Sequence, residues 1–326
     1  MALSLSDFEP LTLRNYKDYR SGLFRAYRHP RYYQSPLRLM HQPHVFKVGY
    51  VGDDVVVIKD RQIMGTQILY SILPPNNWEV IDALTEAGIP CFLSDEDVHF
   101  APKRYGLVPV KDNIEYVYHL SAFSDRFGVN KNQLRRPCNR AESLCESGAL
   151  NIRAYWGDVP YDTLESCKAL TVKWLGQRAK SAWKPNYFLD VFNQYAATSP
   201  DPALLLTVMQ GDRCLGYHLS HRVCNGIIYD VACKDYEDTP IKNMTPVLLH
   251  HASKAWAERF PSQVEYLRVN RGAAVRGKAS RIAKEKLRPM LSNQIYKTVP
   301  HFKMTRDLRD ALYNLTNEEL KMPEWI

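Results

Sequence analysis

The stretch that decides the fold begins with three apolar segments, ALLLTVM (203–209), CLGYHLSH (214–221) and GIIYDVAC (226–233). A polar link containing Gly211 separates the first two segments, and Asn225 and Gly226 separate the second from the third. This pattern predicts a hairpin followed by a third strand. A polar loop then leads to Thr245-Pro246 and to apolar residues at helical spacing, which predicts a helix with Thr245 as its cap and Pro246 in its first position.

The predicted helix start is a candidate anion site, because the N–H groups of a first helical turn have no carbonyl partner within the helix. These groups also carry partial positive charge. The amides of residues 242–245 are therefore expected to face a bound phosphate or carboxylate. A further strand, VEYLRV (264–269), and a basic segment that ends at Pro289 follow the helix.

This order of hairpin, third strand, polar loop, helix, strand and basic helix resembles the C-terminal half of tandem-domain GNAT-like acyltransferases. It is most similar to FemABX-like aminoacyl transferases and to the catalytic region of phosphatidylglycerol lysyltransferases. The segments that carry the resemblance are NMTPVLL (243–249), RGK (276–278) and KEKLRP (284–289). The resemblance implies an α+β fold with two GNAT-like mixed β-sheet units in tandem, each flanked by helices.

The resemblance also implies an acyl donor with a phosphorylated carrier. Ordinary GNAT enzymes have a Gln/Arg-x-x-Gly-x-Gly/Ala loop before this helix, whereas residues 238–243 contain no glycine. Glycines allow backbone amides to close around a CoA pyrophosphate. Two donors therefore stay open, an acyl-CoA such as acetyl-CoA and an aminoacyl-tRNA, with an amine or a hydroxyl group as the acceptor.

The candidate site residues fall into a donor-binding group and a catalytic group. The donor-binding group is Lys242, Asn243, Met244, Thr245, Arg271 and Arg276. The catalytic group is Asp230, His218, Tyr229 and Lys278, with His221 and Tyr296 as further candidates. Lys278 suits a developing negative charge, and the others are candidates for the proton transfer that acylation of an amine requires. A structural hydrogen bond is the alternative role for Asp230, and a core or surface histidine without a chemical role is the alternative for His218.

The strand and helix order occurs twice, which predicts three regions. Residues 1–44 form a basic N-terminal arm, and residues 45–128 form a degenerate GNAT-like half. Residues 129–326 form the C-terminal GNAT-like half. Because the first copy has no basic helix after its last strand, we expect the active site in the second copy.

Basic residues also concentrate in the N-terminal arm. Seven arginines and lysines lie between Arg14 and His44 against the single acid Asp18. Five tyrosines are interleaved with them, Tyr16, Tyr19, Tyr27, Tyr32 and Tyr33. Arginine mixed with aromatic residues suits phosphate contacts and base stacking, whereas a solvated basic face is the simpler explanation. An alternative function is therefore a nucleic-acid-modifying acyltransferase, or a module that binds tRNA or DNA through this arm.

Composition limits the classes of protein to which this chain can belong. A hydrophobic content of 45% and a charged content of 24% over 326 residues are typical of a globular chain with two cores. No apolar run approaches the ~18 to 20 residues that span a bilayer, and the first residues do not form a signal peptide, so a cytoplasmic location is predicted. Seven cysteines without close spacing predict neither a disulfide framework nor a zinc site, and no metal is expected.

Overall fold

The structure is a computed structural model that describes residues 8–26, 39, 46–63, 66–71, 77–87, 89–94, 105–125, 131–178, 186–223, 226–235, 238–270 and 291–300. In chain order the described elements are β1 (Glu9–Pro10), α1 (Tyr16–Ala26), β2 (Phe46–Val51), β3 (Asp54–Ile63), β4 (Thr66–Ser71), α2 (Trp78–Glu86), β5 (Phe92–Ser94), β6 (Tyr105–His119), α3 (Ser121–Ser124), α4 (Lys131–Glu146), β7 (Asn151–Tyr155), α5 (Tyr161–Arg178), α6 (Asn186–Thr198), β8 (Ala203–Gln210), β9 (Arg213–Val223), β10 (Gly226–Lys234), α7 (Met244–Arg259), β11 (Tyr266–Asn270) and β12 (Leu291–Pro300).

The chain divides into two compact units. The first comprises Met1–Glu115 and Asn293–Met322, and the second comprises Tyr116–Ser292 and Pro323–Ile326. The boundaries predicted from the sequence lie at residues 44 and 128 instead. The difference arises because strand pairing is not local: β12 pairs antiparallel with β5, which lies about two hundred residues earlier, and so belongs to the first unit.

The first unit contains an antiparallel sheet in the order β1-β2-β3-β4. Helix α2 begins at its cap Asn77, whose side chain accepts a hydrogen bond from the Glu79 amide. Its residues Val80 and Leu84, four positions apart, are buried with Val56 of β3 in one apolar cluster. The predicted strand and helix order of this region is therefore confirmed.

Helix α1 changes the interpretation of the basic N-terminal arm. Tyr16 and Tyr19 are both fully buried in the core. Neither ring is therefore available to stack on a nucleic-acid base. Tyr27, Tyr32 and Tyr33 lie outside the described residues.

The second unit contains a mixed sheet in which β7, β8, β9 and β10 are antiparallel neighbours and β11 is parallel to β10. Every residue of β8 except Gln210 is buried, and successive side chains of a strand point to opposite faces. Both faces of the sheet are therefore covered at this strand. This explains why β8 has a continuous apolar sequence rather than an alternating one.

Helices α5 and α7 cover opposite faces of this sheet. The Thr171 hydroxyl of α5 lies 2.7 Å from the Tyr217 hydroxyl of β9. The Trp256 indole N–H of α7 donates to the Ser220 hydroxyl of the same strand over 2.8 Å. Because Tyr217 and Ser220 are three residues apart on one strand, their side chains point to opposite sides.

Candidate active site

The ladder of paired residues between β10 and β11 is shorter than either strand. The two strands pair in parallel from Gly226 with Tyr266 to Ile228 with Arg268. β10 continues to Lys234, still paired with β9, but within the described residues of β10 and β11 the pairing ends at Ile228. The ladder between β10 and β11 therefore stops before the carboxyl ends of both strands, and we expect an opening at this edge of β10.

A bulge lies next to this opening. The register between β9 and β10 shifts between Tyr229, which faces Ser220, and Val231, which faces the adjacent residue Leu219. Asp230 is therefore the extra residue of the bulge. Bulges re-aim side chains and are frequent next to active sites. The side chains of Tyr229 and Asp230 lie outside the described residues, so their catalytic roles stay predictions.

Helix α7 starts at the same end of the sheet. It follows β10 and precedes the parallel strand β11, so its first turn lies at the carboxyl ends of these strands, where ligands bind in open sheets. The helix begins at Met244 with Asn243 as its cap, two residues before the cap predicted from the sequence. Thr245 and Pro246 are its second and third residues. Proline is tolerated there because a first-turn residue has no helical acceptor for an N–H group.

We call the carboxyl end of β10 and the first turn of α7 the corner. Its four predicted donor-binding residues differ in exposure. The side chains of Lys242 and Asn243 are exposed, that of Thr245 is half-buried, and that of Met244 is buried. Among the described residues, the Asn243 side chain makes no capping hydrogen bond. Helix geometry leaves the amides of Asn243 and Met244 without a carbonyl partner inside α7. These two amides therefore stay candidates for binding the predicted anion.

An ion cluster that the sequence analysis missed holds the loop between β10 and α7. The Asp235 carboxylate is 1% exposed and contacts Lys173 Nζ at 2.7 Å and Arg213 Nη2 at 2.5 Å. Arg213 also contacts the Asp238 carboxylate, and this carboxylate, followed by Asp235, raises the pKa of the Arg213 guanidinium above its usual range. Both cations are thus neutralised by the loop. In the sequence, this cluster was indicated by Asp235, directly after the apolar strand, and by Asp238 three residues later.

His218 lies in the core of the sheet. It pairs with Leu206 of β8 and Ala232 of β10 and is 1% exposed. Burial lowers the pKa of its imidazole from 6.5 to about 3. A group with so low a pKa is a weak base near pH 7, which argues against His218 as the general base. His221 is likewise fully buried, opposite Ile228 of β10.

The remaining candidates are not placed by the structure. Arg271, Arg276 and Lys278 lie outside the described residues, and Tyr296 lies in β12 with its side chain outside the description. The bulge of Asp230 and the start of α7 are therefore the parts of the predicted site that the structure describes. The basic residues that follow β11 stay a prediction.

No described helix has the length and apolar character needed to cross a membrane.

Three solved structures resemble this chain over almost its whole length. The structure of L-PGS from Bacillus licheniformis is 14% identical, with a TM-score of 0.63 over 95% of this chain and 98% of that chain. The C-terminal domain of a putative lysylphosphatidylglycerol synthetase from Agrobacterium fabrum is 14% identical, with a TM-score of 0.62 over 92% of this chain and 96% of that chain. FemX is 10% identical, with a TM-score of 0.56 over 91% of this chain and 98% of that chain.

These likenesses define the fold class. The chain has an α+β, GNAT-like fold with two units in tandem, as the sequence predicted. Within this class, it has the form of the fold found in FemX and the lysylphosphatidylglycerol synthetases. Comparisons of the sequence with protein-family models and with curated proteins give no match.

Proposed function

We propose that this chain is an acyltransferase that moves an aminoacyl group from a tRNA-type donor to an amine or hydroxyl acceptor. The observation that supports this proposal most directly is the early end of the β10–β11 ladder beside the bulge of β10, where an opening is expected at the end of the sheet from which α7 starts. An opening of this kind admits an extended acyl carrier, and the helix start attracts its negative charge.

The loop before α7 favours aminoacyl-tRNA over acyl-CoA. The Asp238 amide donates to the Asp235 carboxylate at 3.4 Å, and the Ile241 amide donates to the Thr239 hydroxyl at 3.2 Å. Pro240 has no N–H group. These three positions therefore cannot cradle a pyrophosphate, and the amides that remain at the helix start suit a smaller anionic group.

The likeness in fold points in the same direction. The solved structures with the same fold include a putative lysylphosphatidylglycerol synthetase and FemX, and the sequence resemblance is to aminoacyl transferases of these kinds. Fold alone does not define a substrate. The loop before α7 is therefore the main reason for choosing aminoacyl-tRNA as the donor, and the likeness in fold only supports this choice.

The proposed reaction uses the corner as follows. The acceptor nitrogen or oxygen attacks the ester carbonyl of the donor and forms a tetrahedral intermediate. The start of α7 holds a donor phosphate, and the amides of Asn243 and Met244 also stabilise the negative oxygen of the intermediate. The ester C–O bond then breaks, and the released ribose hydroxyl takes up a proton. Asp230 is the proposed base that accepts the proton from the nucleophile, while Lys278, Arg271 and Arg276 pair with donor phosphates.

A donor comparison tests the proposal. The full chain is incubated with tRNA that carries a radiolabelled amino acid, and in parallel with radiolabelled acetyl-CoA, in the presence of amine and hydroxyl acceptors. We expect label to leave the tRNA and to appear on an acceptor, and thermal unfolding to shift with tRNA but not with CoA. Transfer from acetyl-CoA alone would contradict the proposed donor. Binding of tRNA without any transfer would leave the nucleic-acid-binding module as the function.

Variants test the residue roles. Asp230→Asn should lower turnover about 10²- to 10⁴-fold while the donor Kd stays the same, since it removes a base and keeps the shape. Lys278→Ala should instead weaken donor binding. Asp212→Asn, at an exposed residue of the β8–β9 turn, is the matched control and should change neither. Wild-type turnover in Asp230→Asn together with wild-type donor affinity in Lys278→Ala would refute the proposed roles of these two residues.

A further inference from the structure

A cluster of metal-ligating side chains lies between α4 and α7, apart from the corner described above. Glu142 of α4 and the neighbours His250 and His251 of α7 each offer a ligand atom, and these atoms all lie within 4.8 Å of one another. Consecutive helix residues normally point about 100° apart. The two rings nevertheless approach with centroids 4.8 Å apart at an angle of 65°, and a nitrogen of each ring lies within 4.8 Å of the other and of a Glu142 oxygen.

The hydrogen bond of His250 fixes its tautomer. Its Nδ1 lies 2.7 Å from the carbonyl oxygen of Phe123. A carbonyl oxygen only accepts, so Nδ1 carries the hydrogen, and a neutral ring has its lone pair on Nε2. This nitrogen lies 3.9 Å from Glu142 Oε1. Two electron-pair donors therefore face each other, which favours a cation between them.

We propose that Glu142, His250 and His251 bind a divalent transition-metal ion, with Zn²⁺ as the best fit. Two imidazoles and one carboxylate match the ligands that zinc prefers, with the fourth position open to water. Metal-binding histidines usually donate their second ring N–H to a carbonyl or carboxylate, as His250 does to Phe123. Zinc bonds of about 2.0–2.2 Å bring ligand atoms closer than 4.8 Å. The Glu142 side chain is 40% exposed, so it is not enclosed by the core.

The position of the cluster indicates what the ion does. Cys138, one helical turn before Glu142, directs its thiol at the carbonyl oxygen of Pro246 over 3.7 Å. Helix α4 thus already contacts the first turn of α7 at one end. A bound ion would join the same two helices one turn further along and would hold the start of α7 in place.

Metal titration tests the proposal without reference to activity. The full chain is stripped with a chelator and titrated with Zn²⁺ by calorimetry and with Co²⁺ by visible absorption, which reports coordination by nitrogen and oxygen. We expect one ion per chain, and an affinity at least roughly 10-fold weaker in Glu142→Gln and in His251→Gln. Both substitutions keep side-chain size and avoid the buried His250, and circular dichroism of the metal-free variants verifies that they fold.

Two variants serve as matched controls. His119→Gln removes an exposed histidine, and Glu258→Gln removes an exposed glutamate of α7, and neither should change the affinity. Absence of a stoichiometric ion in the wild type would overturn the proposal in favour of a proton on His250 Nε2. An ion bound equally well by Glu142→Gln and His251→Gln would assign it to other residues and would overturn the proposal as well.

Discussion

Replacement of Asn243 by aspartate should move stability and donor binding in opposite directions. Asn243 caps α7, is exposed, and has an extended backbone with φ −131° and ψ 91° that suits any capping residue. A negative charge at the start of a helix stabilises it by about 0.3–1 kcal/mol through the helix dipole. Capping itself adds little, because one of the two backbone N–H groups that usually donate to a cap side chain belongs to the third helical position, and this residue, Pro246, has no N–H group.

The same charge should repel an anionic donor. Two unit charges about 5 Å apart interact by about 0.8 kcal/mol in water and by about 3 kcal/mol at an effective dielectric constant of 20. Because Asn243 is exposed, we expect the lower part of this range, about 1–2 kcal/mol. Donor affinity should therefore fall about 5- to 30-fold.

The assay measures both quantities on the same preparation. Urea unfolding gives the change in stability, and titration with charged tRNA at two salt concentrations gives the change in affinity. Asn243→Ser provides a neutral cap and should bind the donor like the wild type. The difference between the two variants should shrink at high salt, because salt screens exposed charges. A rise in stability with unchanged donor affinity in Asn243→Asp would refute the placement of the anion at α7.

Two further predictions concern the support of this corner. Asp235→Asn removes the charge of the buried carboxylate between Lys173 and Arg213, and it should lower the free energy of unfolding by about 1–3 kcal/mol. This is less than for a fully buried ion pair, because both cations are partly exposed. An unchanged urea midpoint would contradict this prediction. The unfolded chain binds a proton at His218 with a pKa of about 6.5 and the folded chain only near 3, so protonation favours unfolding. The free energy of unfolding should therefore be highest above pH 6.5, where His218 is neutral in both states, and should fall as the pH is lowered toward 3. This fall should be less steep in His218→Gln than in the wild type or in the exposed control His119→Gln. Equal slopes of stability against pH in all three proteins would show that His218 does not titrate in this way.

Local order could be predicted where a pattern depends on neighbours along the chain. The apolar runs of β8, β9 and β10, the turn at Gly211 and the loop before α7 follow from periodicity and turn chemistry. The cap of α7 was misplaced by two residues, because Thr245-Pro246 is an equally good sequence for the cap and first position or for the second and third. Helix packing, rather than propensity, decided between them, since Met244 is buried in the core.

The sequence by itself determined the strand and helix order and the absence of glycine before α7, because both depend on residue types in a short window. Only the tertiary structure decided that the ladder between β10 and β11 ends at Ile228, and that the Asp235 carboxylate neutralises Arg213 rather than leaving it for a ligand. It also placed Glu142 of α4 next to His250 and His251 of α7. These contacts join residues distant in sequence, and their free energies depend on burial and distance, which no local pattern encodes.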